Sequence, residues 1–214
     1  LFMKKVALIL SSSLRSEIYY KKIKKNDIFI SKIIYYGKKK SFIKKHDLKK
    51  VTFFSCDHLD NKICKFIIKQ KEKEFIISPK PGELIKNKAL LKKKKLIHFH
   101  PGNLPYFKGS TVLYYTLLNK KKIYCTCFIL SEKIDSGKII FKKIFRKPKF
   151  KNELDVEKFD NNLRSETLIH YLNGSSKKIK DIKYNTINYF IIHPVLRKIA
   201  INNNHFKFIK KIFE

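Results

Sequence analysis

Short apolar runs that alternate with helical segments constrain the fold of this chain more than any other feature. The segments between the runs carry apolar residues at helical spacing, for example Ile18, Tyr19 and Ile23. Strands that are buried on both faces of a parallel sheet are near-continuous apolar runs of this kind. The runs that predict such strands are KVALILSS (5–12), IFISKIIYYG (28–37), VTFFS (51–55), EFIIS (74–78) and KLIHFH (95–100). We therefore expect an α/β fold, a mostly parallel twisted sheet that is flanked by helices.

Two later runs, IYCTCFIL (123–130) and GKIIFKKIF (137–145), predict an edge hairpin. Further helices are expected at KSFIKKHDLKK (40–50), ELIKNKALLKK (83–93) and STVLYYTLLN (110–119), the last with Ser110 as its N-cap.

The pattern changes after residue 150. The segment NELDVEKFDNNLRSETLIHYLN (152–173) predicts one long helix that Asn173 and Gly174 end. We expect a catalytic domain over residues 1–150 and a small helical C-terminal extension, residues 151–214, packed on the same domain.

The formal net charge is +33, from 50 Lys and Arg against 17 Asp and Glu. The lysines are spread along the whole chain, a pattern that fits compositional drift as well as selection for a polyanion. This charge would favour a phosphorylated substrate in either case. Four cysteines without zinc spacing favour reduced thiols and a cytoplasmic location. No apolar run approaches the roughly 20 residues that a membrane span needs, so no membrane partner is expected.

The strand KLIHFH places two histidines, His98 and His100, on one face at the carboxyl end of a strand, where ligands bind in open α/β sheets. The loop PGNLPYFKG that follows is held irregular by its prolines and glycines. Asp135, in the loop KIDSG, could complete the set, because an imidazole can stabilise an oxyanion or move a proton and a carboxylate can assist it. Two alternatives stay open: satisfied core histidines with a turn-capping aspartate, and a zinc site.

Three motifs resemble those of folate-dependent formyltransferases. HPGNLPYFKGS (100–110) resembles their His-Pro-Ser-Leu-Leu-Pro-x-(Tyr/Phe)-(Lys/Arg)-Gly signature, and IDSGKII (134–140) resembles their Leu-Asp-x-Gly-x-Ile-(Ile/Leu) segment. PGELI (81–85) sits where the family has its pterin-contacting loop. The resemblance covers about residues 5–145 and implies the Rossmann-like formyltransferase fold.

The resemblance also implies a reaction and its residues. A formyl group would pass from 10-formyltetrahydrofolate, a co-substrate, to a primary amine without a metal. His100 would be the catalytic histidine and Asp135 the catalytic aspartate. His98 stands where the family has an asparagine that donates to the formyl oxygen; a histidine could donate instead, or activity could be altered or lost. Leu84, Ile134 and Asp135 would line the pterin pocket.

The resemblance does not by itself identify the amine that accepts the formyl group. No glycine-rich phosphate loop follows the first strand, and the tail is too short for the barrel domain of transfer-RNA formyltransferases. We therefore expect the short enzymes that formylate amino sugars on nucleotide carriers. The residues expected to contact the acceptor are Ser11, Lys108, Gly109, Ser110 and Tyr114. Glycinamide ribonucleotide and methionyl transfer RNA remain alternative acceptors, as do a non-catalytic folate- or nucleotide-sugar-binding relative and a polyanion-binding module. A homodimer is left open.

Overall fold

The fold is built on a seven-stranded sheet. The structure is a computed structural model that describes residues 5–38, 42–174 and 188–202. The strands of this sheet, in chain order, are β1 (Lys5–Ser11), β2 (Phe29–Tyr36), β3 (Val51–Phe54), β4 (Glu74–Ser78), β5 (Lys95–His100), β7 (Ile123–Ile129) and β8 (Ile139–Phe145). A separate two-stranded sheet pairs β6 (Lys108–Gly109) with β9 (Asn188–Tyr189).

The large sheet has the order β3-β2-β1-β4-β5-β7-β8. The four pairings from β3 to β5 are parallel. The pairing of β5 with β7 and that of β7 with β8 are antiparallel. The expected fold class and the edge hairpin are both confirmed.

Helices cover both faces of the sheet, and the alternation of side chains along β1 explains why. Val6, Leu8 and Leu10 belong to one buried cluster, and Ala7 and Ile9 belong to another. The helices are α1 (Leu14–Lys25), α2 (Asn61–Lys69), α3 (Lys88–Lys93), α4 (Val112–Leu118), α5 (Glu153–Leu172) and α6 (Pro194–Ile201), with a 3₁₀ helix at Lys45–Lys50. The first cluster takes side chains from α1, α4 and α5, and the second takes them from α2 and α3.

The long helix predicted for residues 152–173 is present as α5, with Asn173 at its C-cap. Its residues Val156, Leu163 and Leu168 belong to the same buried cluster as β1. The part of the expected C-terminal extension at 175–187 and 203–214, and residues 40 and 41 of the expected helix 40–50, lie outside the described residues.

Three expected helix starts are wrong. The described part of the segment expected as a helix over 40–50 is helical only from Lys45, as a 3₁₀ helix. Helix α3 begins at Lys88 and not near residue 83, since the Asn87 side chain accepts a hydrogen bond from the Leu90 N–H at 2.9 Å and caps it there. Helix α4 has Thr111 at its N-cap, with a φ of 52° and no side-chain capping bond. Ser110 therefore does not cap α4.

Candidate active site

His98 and His100 project from one face of β5 into a cavity of about 750 Å³ that Asp135 also lines. His98 is 8% exposed and His100 is 4% exposed. Ile97, which precedes His98, and Phe99, which lies between the two histidines, are fully buried on the opposite face. The two-residue period of a strand thus places both imidazoles on one side. We divide the other lining residues into two groups by chain segment: the first arm comprises residues 79–85 and 130–135, and the second arm comprises residues 109–114 with lining residues from 153–160 and 189–197.

The imidazole of His100 is held at both nitrogens. Its Nε2 donates a hydrogen bond to the Phe107 carbonyl oxygen at 2.7 Å, and its Nδ1 lies 3.4 Å from Asp135 Oδ2. The same carboxylate oxygen accepts the Gly109 N–H at 2.8 Å. Burial lowers the pKa of His100, and the Asp135 carboxylate opposes that shift. His100 Nδ1 can therefore take a proton that Asp135 stabilises.

The loop after β5 needs glycine where the backbone passes close to other groups. A Cβ on Gly109, whose φ is +95°, would lie 2.2 Å from the Tyr189 carbonyl oxygen. A Cβ on Gly102 would lie 2.8 Å from His100 Nε2. Thr126 on β7 fixes the loop after β5, because the Thr126 hydroxyl donates a hydrogen bond to the Gly102 carbonyl oxygen at 2.6 Å. The glycines thus let the loop fold directly against the imidazole.

The loop between β7 and β8 has its own constraints. Asp135 has a φ of 44°, a left-handed conformation that aspartate tolerates better than most residues. A Cβ on Gly137 would lie 1.5 Å from the Ile129 carbonyl oxygen, so this position requires glycine. The turn formers around Asp135 therefore determine where its carboxylate points.

His98 is placed differently from His100. Its Nδ1 donates to the Ile77 carbonyl oxygen at 3.3 Å. Burial lowers the pKa of His98 well below its ordinary value, and Arg164 and Arg15 lower it further. A neutral ring with its proton on Nδ1 has a lone pair on Nε2, so Nε2 is an acceptor in this arrangement. The expected donation from His98 to a formyl oxygen would require the other tautomer.

The arm formed by residues 79–85 and 130–135 carries apolar side chains among charged ones. Leu84 is 52% exposed and Ile134 is 40% exposed, and both line the cavity. Glu83, which the sequence analysis did not single out, holds this arm together. Its carboxylate accepts hydrogen bonds from the Tyr36 hydroxyl, from Leu59 N–H at 2.6 Å and from Lys80 N–H at 3.0 Å. Burial, and next the Glu83 charge, raise the pKa of Tyr36.

Two of the residues expected to contact the acceptor do not line the cavity. Ser11 is fully buried and its hydroxyl donates to Ser13 Oγ at 3.0 Å. Lys108 is 9% exposed and its ammonium donates to Ser136 Oγ at 2.9 Å. Lys108 thus joins the loop after β5 to the loop that carries Asp135, which is a structural role.

Gly109, Ser110 and Tyr114, the other residues expected to contact the acceptor, line the second arm. This arm is completed by the segment around β9. The Ser110 N–H donates to the Tyr189 carbonyl oxygen at 2.8 Å, and the guanidinium carbon of Arg197 lies 5.9 Å from the centre of the Tyr114 ring. Residues after 150 therefore form a wall of the site.

Arg15 and Arg164 also line the cavity, although the sequence analysis did not predict them. Arg164 and Asp160 are four residues apart on α5, a spacing at which opposite charges pair on a helix. That spacing was the one sequence signal for this pair. Nothing in the local sequence connects either residue to Arg15 on α1.

No group of three or more His, Cys, Asp and Glu side chains that could hold a metal ion occurs within residues 5–38, 42–174 and 188–202. None of the helices in the described part of the chain is long and apolar enough to cross a membrane. All four cysteines are free thiols.

No family model matches the chain, and a comparison with curated protein sequences finds no match. Solved structures match over most of its length. A sugar N-formyltransferase from Shewanella sp. has a TM-score of 0.61 at 17% identity, over 93% of this chain and 87% of that chain. A phosphoribosylglycinamide formyltransferase from Campylobacter jejuni has a TM-score of 0.60 at 21% identity, over 80% of this chain and 96% of that chain.

A third match is an N-formyltransferase from Helicobacter canadensis, solved in complex with folinic acid and dTDP-3-aminofucose. Its TM-score is 0.58 at 14% identity, over 91% of this chain and 80% of that chain. At these identities the likeness shows the fold, and this chain has the formyltransferase fold.

Proposed function

We propose that this protein transfers a formyl group from 10-formyltetrahydrofolate to the primary amine of a nucleotide-linked amino sugar. The observation that carries the proposal is the pairing of His100 Nδ1 with Asp135 Oδ2, 3.4 Å apart, in the lining of one cavity. Such a pair can take a proton from a nitrogen that attacks a carbonyl carbon. We assign the first arm to the formyl donor and the second arm to the amine acceptor.

The chemistry proposed for these residues is a proton transfer coupled to acyl transfer. The neutral amine attacks the formyl carbon, a new carbon–nitrogen bond forms, and the bond from that carbon to N10 of the folate breaks. His100 Nδ1 takes the proton that the amine loses, and Asp135 stabilises the resulting imidazolium. The proton then passes to N10, so that tetrahydrofolate and a formamide leave.

The arm lined by Leu84 and Ile134 suits the pterin ring. Its apolar side chains include Leu84 and Ile134, and Glu83 fixes the backbone of the loop that a flat heterocycle would contact. Backbone groups at Ile134 and Asp135 could bind the pterin edge without a particular side chain. The N-formyltransferase from Helicobacter canadensis was solved with folinic acid, which supports a folate here.

The second arm supports the amino-sugar class of acceptor. The sugar N-formyltransferase from Shewanella sp. covers 93% of this chain, whereas the phosphoribosylglycinamide formyltransferase covers 80%. The wall formed by Tyr189, Phe190 and Ile191 lies in the C-terminal part of the chain. Phe190 is 80% exposed, so its ring is available to stack on a nucleobase.

A non-catalytic binding role is the second candidate, and His98 favours it. Its Nδ1–H faces the Ile77 carbonyl oxygen, so Nε2 does not donate to a formyl oxygen in this tautomer. Tight folate binding without turnover of any amine would support this second candidate.

The test is a panel assay with the full chain and 10-formyltetrahydrofolate. The acceptors are several nucleotide-linked amino sugars, glycinamide ribonucleotide and charged initiator transfer RNA, and the measured product is the formylated acceptor. We expect turnover of an amino sugar and its loss in His100→Ala. Turnover of glycinamide ribonucleotide or transfer RNA alone would refute the acceptor class, and no turnover of any amine would refute the proposed reaction.

We also propose a cytoplasmic location, which the four free thiols support.

A further inference from the structure

Strand β9 lies beside a three-residue segment, residues 107–109, that holds both His100 and Asp135 through its backbone. The Phe107 carbonyl oxygen accepts the His100 Nε2–H at 2.7 Å. The Gly109 N–H donates to Asp135 Oδ2 at 2.8 Å. The geometry of the pair that His100 forms with Asp135 therefore depends on where the backbone of residues 107–109 lies.

The hydrogen bond from His100 to Phe107 also decides which ring nitrogen can act as a base. Nε2 can donate to a carbonyl oxygen only while it carries the ring proton, so Nδ1 of a neutral His100 is unprotonated. Nδ1 is the nitrogen that faces Asp135 and takes the proton of the amine in the proposed reaction. A displacement of residues 107–109 by about 1 Å would break both hydrogen bonds, since such bonds weaken steeply with distance.

Tyr189 on β9 binds this segment with its ring and with its backbone. The Tyr189 ring stacks on the Phe107 ring, with ring centres 5.2 Å apart and an angle of 9° between the planes. Tyr189 stands opposite Gly109 in the parallel pairing of β6 with β9, and its carbonyl oxygen accepts the Ser110 N–H at 2.8 Å. Residues 107–110 thus contact Tyr189 at one end through a ring and at the other through a hydrogen bond.

The far side of Tyr189 is held by α4 and the residue before it. The Tyr189 ring also packs on the Tyr115 ring of α4, with ring centres 4.5 Å apart. The Thr111 hydroxyl donates to the Phe190 carbonyl oxygen at 3.2 Å and accepts the Ile192 N–H at 3.0 Å. Tyr189 therefore lies between the ring of Phe107 and α4, with the chain that follows it fixed at Thr111.

We propose that Tyr189 is a positioning residue for formyl transfer, which holds residues 107–109 where they fix the ring of His100 and the carboxylate of Asp135. This inference rests on the function proposed above and adds to it a residue outside the reacting groups. Tyr189 also lines the second arm of the cavity. A residue that served only as a wall of that arm would affect the KM of the acceptor and leave the state of His100 unchanged.

The state of the His100 ring tests the proposal without any formyl transfer. The full chain is labelled with ¹⁵N-histidine, and the ring signals of His100 are identified as those lost in His100→Ala. We expect a protonated Nε2 in the wild type, with a ring proton that exchanges slowly with water because Phe107 binds it. Tyr189→Ala should speed this exchange about tenfold or more, since the hydrogen bond then opens more often. Tyr189→Phe, which keeps the stacked ring, should restore the wild-type signal.

The matched control is Phe53→Ala, which also removes one ring from a stacked pair. The Phe53 ring stacks on Tyr35 with centres 5.8 Å apart, and Phe53 lies on the edge strand β3, outside the cavity. Phe53→Ala should leave the His100 signals and kcat unchanged. Tyr189→Leu, which keeps an apolar side chain but has no flat ring, serves if Tyr189→Ala does not fold.

The kinetic test separates a positioning role from a wall. We expect kcat in Tyr189→Ala to fall by about tenfold to a hundredfold, because small displacements of catalytic groups have effects of this size. The KM for the folate should stay unchanged, and Tyr189→Phe should recover kcat. Phe107→Ala should give a similar loss, and the double variant should lose no more than either single variant, since both remove the same stacked pair.

Unchanged His100 ring signals in a folded Tyr189→Ala or Tyr189→Leu variant would overturn the inference, whatever the turnover. A higher KM for the acceptor with kcat unchanged would do so too, because Tyr189 would then be only a wall. An equal loss of kcat in Phe53→Ala would also contradict it. If the wild type formylates no amine, the proposed reaction fails, and the His100 ring signals alone decide whether Tyr189 positions this residue.

Discussion

Asp135 Oδ2 lies 3.4 Å from His100 Nδ1 while it also accepts the backbone N–H of Gly109 at 2.8 Å. One carboxylate oxygen therefore fixes the loop after β5, which contains Gly109, and also faces the imidazole of His100. The backbone at Asp135 is left-handed, with a φ of 44°, which limits the residues that can replace it.

Asp135→Asn should remove the charge and keep the structure, because asparagine also tolerates a left-handed backbone and can accept the Gly109 N–H. We expect kcat for formyl transfer to fall by about 10²–10⁴-fold. The melting temperature should stay close to that of the wild type. Asp27→Asn is the matched control, since Asp27 is exposed and has a φ of 52°. Turnover of Asp135→Asn equal to that of Asp27→Asn would contradict the role of Asp135.

His98→Asn should make the fold less sensitive to acid. The pKa of His98 is lowered in the folded state from its ordinary value of 6.5, mainly by burial. The unfolded chain therefore binds more protons below that pH, and stability is lost as the pH falls through about 6.5. The slope from one such group is at most about 1.4 kcal/mol per pH unit. Urea unfolding between pH 7.5 and 5.0 should show a smaller decline in the variant, whereas His58→Asn, at an exposed site, should decline like the wild type.

The same variant tests the donor at this position. Asparagine can donate from its amide whatever the tautomer of a ring, so His98→Asn should retain or raise formyl transfer. A complete loss of turnover in a folded His98→Asn variant would show that His98 acts in another way. The assay measures kcat and the KM of the folate for both chains.

Gly137→Ala should destabilise the chain strongly, because the added Cβ would lie 1.5 Å from the Ile129 carbonyl oxygen. We expect a loss of more than about 3 kcal/mol of unfolding free energy. Gly82→Ala provides the comparison: it has a φ of +78°, but no atom lies within 4 Å of its added Cβ. That change should cost about 1–2 kcal/mol from backbone strain alone. Similar urea midpoints for the two variants would contradict the close contact at Gly137.

Glu83→Gln should weaken the arm assigned to the pterin. The carboxylate accepts three hydrogen bonds, and the amide NH₂ of glutamine would face at least one of the same donors. We expect a loss of about 1–3 kcal/mol in unfolding free energy and a higher KM for the folate. The control is Glu132→Gln, because Glu132 also lines the cavity but makes a solvent-exposed ion pair with Lys88 at 3.4 Å. Equal stability of the two variants would remove the anchoring role of Glu83.

Local periodicity was sufficient to predict the sheet and the common face of His98 and His100. The side chains of a strand alternate, and no distant contact is needed to know it. The start of α3 was not predictable in this way. Asn87 caps the helix there, and three donors from Tyr36, Leu59 and Lys80 hold the Glu83 carboxylate outside it.

The positions of Lys108 and of two arginines were not predictable from the sequence. The resemblance implies Lys108 as an acceptor contact, but its side chain is 9% exposed and its ammonium donates to Ser136 Oγ, far along the chain. Arg15 on α1 and Arg164 on α5 line the same cavity, although no local sequence pattern connects them. Because lysines are spread along the whole chain, the sequence does not indicate which few charged side chains are buried in the fold.

The pairing of β6 with β9 separates two events during synthesis on the ribosome. All seven strands of the large sheet have been translated once Phe145 has been added, and α5, which packs on it, is complete at Leu172. The wall that Tyr189 supplies emerges from the exit tunnel later, and until then the loop after β5 lacks its parallel partner. A chain that ends between Leu172 and Asn188 would therefore keep the sheet and α5 but would lack the cavity wall that Tyr189 supplies.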